Sequence, residues 1–211
     1  GVPESYLFLI YSVAMGLSLA VTAVVARRIG ENEPGEAAIS AVQAILVALV
    51  VSLPFAYVGI VYARELLALM GADAWTLEHG VNYMRWMLGG NAVILLLFVI
   101  NAVFRGAGDA AAAMRVLWVA NGLNIVLDPI LLFGFGPIPA MGVEGAAIAT
   151  NIGRGAGVLM QLWILFRGGK HIRILGSQLV LRGSVMLNIV RTSLGGTGQM
   201  IIATTSWIFL L

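Results

Sequence analysis

The chain has 211 residues, of which 60% are hydrophobic and 10% charged, with a net charge of +2 and no cysteine. That charged fraction and a mean hydropathy of +0.98 lie outside the range of soluble domains, in which about 25% of residues are charged, so the chain reads as an integral membrane protein. The pI near 9.3 does not signal nucleic acid, because the twelve Lys and Arg are scattered and sit mostly at the ends of apolar stretches.

A membrane span needs about 20 apolar residues, and the pattern predicts six helices, over 5–26, 37–63, 79–104, 110–134, 143–166 and 184–211, with no competing strand signal. The first is too long for the apolar part of a signal peptide, lacks a basic leader and runs into Arg27 and Arg28. The second carries Pro54, which predicts a kink. The third begins with His79 and Arg85, placed to snorkel toward an interface, as Arg191 is in the sixth. Gln43 and Asn101 are isolated amides, read as interhelical hydrogen bonds. Asp109 reads as the N-cap of the fourth helix; the glycines before it are no phosphate loop, because no strand precedes them and no Lys-Ser/Thr follows.

The fourth helix holds the most informative residue. Asp128 is a carboxylate followed by Pro129 at membrane depth, where an acidic group is costly and marks a functional site. Spacings of three and four put Asn121, Asn124 and Asp128 on one helical face. Pro129 has no N–H, so the Ile125 carbonyl loses its helical partner. Carboxylate, amide and freed carbonyl together form an oxygen-rich site suited to a proton or a sodium ion; the competing reading is helix packing through hydrogen bonds.

In the fifth helix Thr150, Asn151 and Arg154 occupy about one turn. Arg154 fits a partner for Asp128, a group facing a water-filled cavity, or a side chain snorkelling to the interface. Gly153 and Gly157 have the GxxxG spacing that lets helices approach closely. Between the fifth and sixth helices, basic residues alternate with Ile172, Ile174, Leu175, Leu179 and Leu181, which suits a segment in the membrane interface that links two bundles. The basic loops after the first, third and fifth helices are placed in the cytoplasm by the positive-inside bias. Two histidines on separate loops give no zinc site, and no arrangement suggests hydrolysis. The sequence therefore predicts no enzyme, no catalytic residue and no cofactor.

Phe104-Arg-Gly-Ala-Gly-Asp109, Asn124-Ile-Val-Leu-Asp-Pro-Ile130 and Met141-Gly-Val-Glu-Gly-Ala-Ala-Ile-Ala-Thr150, in that order, resemble the multidrug and toxic compound extrusion (MATE) family of secondary transporters. Ala26-Arg-Arg-Ile-Gly30 is similar to the turn after that family's second helix. The resemblance implies an all-α polytopic bundle forming most of the N-terminal lobe of a two-lobed transporter of six plus six helices. This chain would supply helices two to seven: 1–169 in the first lobe, 170–183 as linker, and 184–211 beginning the second lobe. The chain would then lack the first helix and the last five, and transport would belong to a longer protein.

The resemblance further implies efflux of amphipathic or cationic organic compounds by antiport with sodium ions or protons. Asn124, Asp128 and Thr150 match the family's cation site; Asn121, Asn151 and Arg154 are candidate cavity-lining residues, and the only metal expected is sodium at Asn124 and Asp128. The implied partners are small-molecule substrates, membrane lipid and the remaining helices of the transporter, and the implied location is the cell membrane of a prokaryote. The alternatives are a lipid-linked saccharide flippase of the same architecture and a non-transporting membrane fragment.

Overall fold

The computed structural model of the chain describes residues 2–168 and 171–210, and the side chains of all of these except 2–5, 204 and 207–210. Gly1, Lys170 and Leu211, which fall within the predicted lobes and linker, lie outside the described residues, as does Gly169.

The fold is helical: α1 (Val2–Gly30), α2 (Pro34–Val61), α3 (Ala63–Leu69), α4 (Ala74–Gly89), α5 (Asn91–Gly106), α6 (Ala110–Phe133), α7 (Gly142–Arg167) and α8 (Gly183–Leu210). Among the described residues four stretches are long and apolar enough to cross a membrane: Tyr6–Gly30, Pro34–Val61, Ala74–Gly106 and Ala110–Phe133. The sequence pattern also assigns spans to α7 and α8. Both are long enough, but their apolar runs are diluted, α7 by Glu144, Asn151, Arg154 and Gln161, which turn toward neighbouring helices instead of lipid.

The predicted third helix differs most. It starts at Ala74, where the Asp73 carboxylate accepts a hydrogen bond from the Thr76 amide at 2.9 Å, and it breaks at Gly90 into α4 and α5. A Cβ on Gly90 would lie 2.7 Å from the Asn151 side chain, so glycine is required by that close approach. Side chains satisfy the break: Asn151 Nδ2 donates to the Trp86 carbonyl at 2.8 Å, and Asn91 Nδ2 donates to the carbonyls of Leu88 and Ser52. Ser52 lies just before Pro54, so Asn91 ties the break between α4 and α5 to the proline turn of α2. His79 and Arg85 lie inside α4 rather than at its start.

The core runs through the middle of the bundle, with Ile10, Leu95, Ile100 and Phe104 fully enclosed. The segment 171–182 has one 3-10 turn at Gly176–Gln178 and otherwise no regular secondary structure. Ile172 and Ile174 insert into the core while Leu179 and Leu181 point outward. Its far end is clamped to α2. The enclosed Gln43 amide donates to the Val180 carbonyl and accepts from the Arg182 amide at 3.0 Å, and Arg182 pairs with Glu36 at 2.6 Å. Near the middle of α1, a Cβ on Gly16 would overlap the Thr197 side chain and lie 2.9 Å from the Ser193 carbonyl, so α1 and α8 touch almost backbone to backbone. Toward the Arg27 end of α1 the same two helices leave a cavity of about 230 Å³ lined by Ala23, Val24, Arg27, Arg28, Asn188 and Thr192.

Candidate functional site: a polar layer between α1, α6 and α7

The broadest helix interface joins α6 to α7, and small residues explain it. Gly145, Ala149, Gly153 and Gly157 recur every fourth position and are all buried. A Cβ on Gly145 would strike the Leu131 carbonyl, and one on Gly153 would lie 2.7 Å from the Ala120 carbonyl. The GxxxG spacing is therefore used, and it sets an antiparallel register in which Asn124 faces Thr150.

That register brings two of the predicted cation-site residues into contact. Asn124 Nδ2 donates to Thr150 Oγ1 at 3.2 Å, and the Thr150 hydroxyl donates to the Ala146 carbonyl at 3.0 Å. Asp128 stands one turn from Asn124 on α6, half-buried. No hydrogen bond or ion pair to Asp128 is formed among the described residues. Pro129 lies within α6 and leaves the Ile125 carbonyl without its i+4 donor. Among the described residues no three His, Asp or Glu side chains cluster as a multidentate metal site; one carboxylate with neutral oxygens around it suits a monovalent cation. Asn121, on the same face, is exposed.

Arg154 and Asn151 leave this pair for different neighbours. Asn151 turns to the helix break at Trp86, with its Oδ1 buried and unpartnered. Arg154 does not pair with Asp128. Its Nη2 donates to the Tyr11 hydroxyl at 2.6 Å and its guanidinium lies 5.6 Å from the Tyr11 ring centroid, while Nη1 is buried without a partner. Tyr11 is fixed in turn by an edge-on contact with Phe98, centroids 5.9 Å apart. Snorkelling does not describe this arginine, because its charge points into the bundle.

Sequence reasoning missed Tyr11 and gave Glu144 no role. Glu144 accepts from Trp86 Nε1 at 3.0 Å and Asn82 Nδ2 at 3.3 Å, so the only acid of α7 is engaged with α4 and unavailable to Arg154. Tyr11 carries a signal in hindsight, a phenol in an apolar run, but nothing in sequence places it opposite a residue 143 positions away.

Comparison with known proteins bears on this arrangement. The family model MatE matches residues 3–130, a range that includes Asn121, Asn124 and Asp128 and stops before Thr150 and Arg154. An FAD transporter of Shewanella oneidensis is 31% identical over 142 residues, covering 67% of this chain and 31% of that protein. A probable multidrug resistance protein, NorM, of Thermotoga maritima is 37% identical over 86 residues, 41% of this chain and 18% of that protein. A crystal structure of MATE in the bent conformation superposes with a TM-score of 0.89 and 28% identity, over 100% of this chain and 46% of that one. The chain thus spans less than half the length of each of these relatives.

Proposed function

The chain belongs to the MatE family of multi-pass membrane transporters, and on that premise we propose that it forms the ion-coupling part of an antiporter that exports amphipathic or cationic organic compounds in exchange for sodium ions or protons. Residues 1–169 would be most of the first lobe, 170–183 the linker and 184–211 the start of the second lobe, in a prokaryotic cell membrane with the basic loops in the cytoplasm. Asp128 binds the coupling ion, and Asn124, Thr150 and the Ile125 carbonyl supply neutral oxygens. Asn121, Asn151 and Arg154 line or support the cavity.

The observation that carries this reading is the Asn124–Thr150 hydrogen bond, because it sets a hydroxyl and an amide beside the turn that ends in an unpartnered carboxylate. Such a carboxylate at membrane depth is costly, and a bound cation offsets that cost. Ion occupancy then differs between cavity-open states as the lobes alternate their access.

The test is ethidium efflux from vesicles carrying the transporter that contains this chain, with sodium and proton gradients imposed separately. Efflux driven by one gradient and reduced to the level of empty vesicles by Asp128→Asn is the expected outcome. Undiminished efflux in that variant would overturn the assignment of Asp128.

A second reading has an anionic cargo, either a nucleotide such as FAD or a lipid-linked saccharide. Arg154, with a free Nη1 inside the bundle, favours it, as does the likeness to an FAD transporter. Release of FAD under the same gradients, insensitive to Asp128→Asn and lost in Arg154→Gln, would select it.

A further inference from the structure

We propose that Arg154 is a tethered counter-cation for Asp128, pairing with the carboxylate when the coupling ion is absent and resting on Tyr11 when the ion is bound. This rests on the reading that Asp128 takes the ion. Asp128 has no partner among the described residues, and Arg154 has only a neutral phenol, with one guanidinium nitrogen enclosed and unmet. Both residues are partly buried, and opposite charges left unpaired there attract more than they would in bulk water.

The register puts them within reach. Gly145 faces Leu131 and Gly153 faces Ala120 and Asn124, so Asp128 and Arg154 are offset by about 10 Å along the paired helices. Side chains on a helix lean toward its N-terminus. Since α6 and α7 are antiparallel, Asp128 leans toward Asn124 and Arg154 leans toward Thr150, which are the two residues bonded to each other. On this geometry a rotamer change of Arg154 away from Tyr11 would swing its guanidinium along α7 toward the carboxylate.

The arrangement makes the arginine and the ion competitors for one carboxylate. With the ion bound, Asp128 is neutralised, its attraction for Arg154 is lost, and the arginine settles on Tyr11, where the hydrogen bond and the ring face hold it. With the ion gone, Arg154 replaces it, and the lobe never carries a bare buried carboxylate. A tethered competitor acts at high effective concentration, so removing it must tighten ion binding, while removing its resting place must weaken it.

Two measurements on the transporter containing this chain test this. The first is a double-mutant cycle of thermal stability for Asp128→Asn, Arg154→Gln and the double variant, in sodium-free alkaline buffer and again with saturating sodium or at low pH. Non-additivity that is present without the ion and disappears with it is expected, with Arg154→Lys keeping the coupling; additive effects in both conditions would overturn the pairing. The second is the sodium or proton concentration giving half-maximal efflux. Arg154→Gln should lower it about tenfold and Tyr11→Phe should raise it, whereas shifts in one direction for both would mean a structural role only. Coupling in the cycle with no efflux from any variant would sink the antiport reading and keep the pair; additivity with normal native efflux would do the reverse.

Discussion

Gln43 and Arg154 are both polar side chains set deep among helices, and their surroundings differ. At the clamp between α2 and the 171–182 segment, the two ends of the Gln43 amide meet backbone groups, Val180 on one side and Arg182 on the other. In the layer between α1, α6 and α7, Arg154 keeps an enclosed nitrogen unmet and Asp128 has no partner among the described residues. A polar group whose task is to join two segments is matched by them, because an unmet buried group weakens the join. A group whose partner arrives and leaves is left open in one of its states. Asn91 and Gln161 also leave an amide oxygen unpaired, but each is neutral and holds other bonds through its nitrogen, so the cost is smaller than for a charge.

The largest blow to the layer is Gly153→Val. Its added carbons overlap the Ala120 carbonyl, force α6 from α7 and separate Asn124 from Thr150; overpacking of this kind costs about 1–3 kcal/mol or more, read as a fall in Tm in detergent and loss of efflux. Next is Gln43→Leu, which strands the Val180 carbonyl and the Arg182 amide at about 1–3 kcal/mol. It should lower Tm and expose the 171–182 segment to protease while the ion preference of efflux stays unchanged, and a changed preference would erase the contrast between the regions. Thr150→Val removes one interhelical hydrogen bond, worth about 0.6 kcal/mol in a membrane bundle; Tm should barely move while the half-maximal ion concentration rises.

The smallest effect lies outside both regions. The Thr76 hydroxyl and amide hold the Asp73 carboxyl below its usual range, so its stabilisation of α4 is fully present above the ordinary aspartate value and is lost as pH falls through the depressed one. Asp73→Asn, which cannot titrate there, should therefore match the native protein at neutral pH and lose less stability on acidification, measured by Tm against pH.

Much of this was legible in the chain. The limits of α6 and α7 follow from apolar runs and end signals, and Asp109 caps α6 as its position before that run suggests, accepting from the Ala112 amide at 3.1 Å. The helix predicted over 79–104 lies within the apolar span Ala74–Gly106; the local pattern favours continuity through Gly89 and Gly90, so the interruption at Gly90, where Asn151 reaches in from α7, is not legible in it. Asp128 stands out by its chemistry alone. Its relation to Thr150 came from family resemblance and depends on the α6–α7 register, which glycine spacing suggests but does not fix. The direction of Arg154 was illegible, since it turns on which residue of α1 lies opposite α7.

The contact at Gly16 has a mechanical consequence. It lies near the midpoint of both α1 and α8 and has no clearance for one methyl group, so the two helices can come no closer there. Because this point of the α1–α8 interface has no clearance, a change in the crossing of the two helices pivots about Gly16 more readily than it slides past it. The gap lined by Ala23, Arg27, Asn188 and Thr192 lies to one side of that pivot, and it is the space such a turn would close.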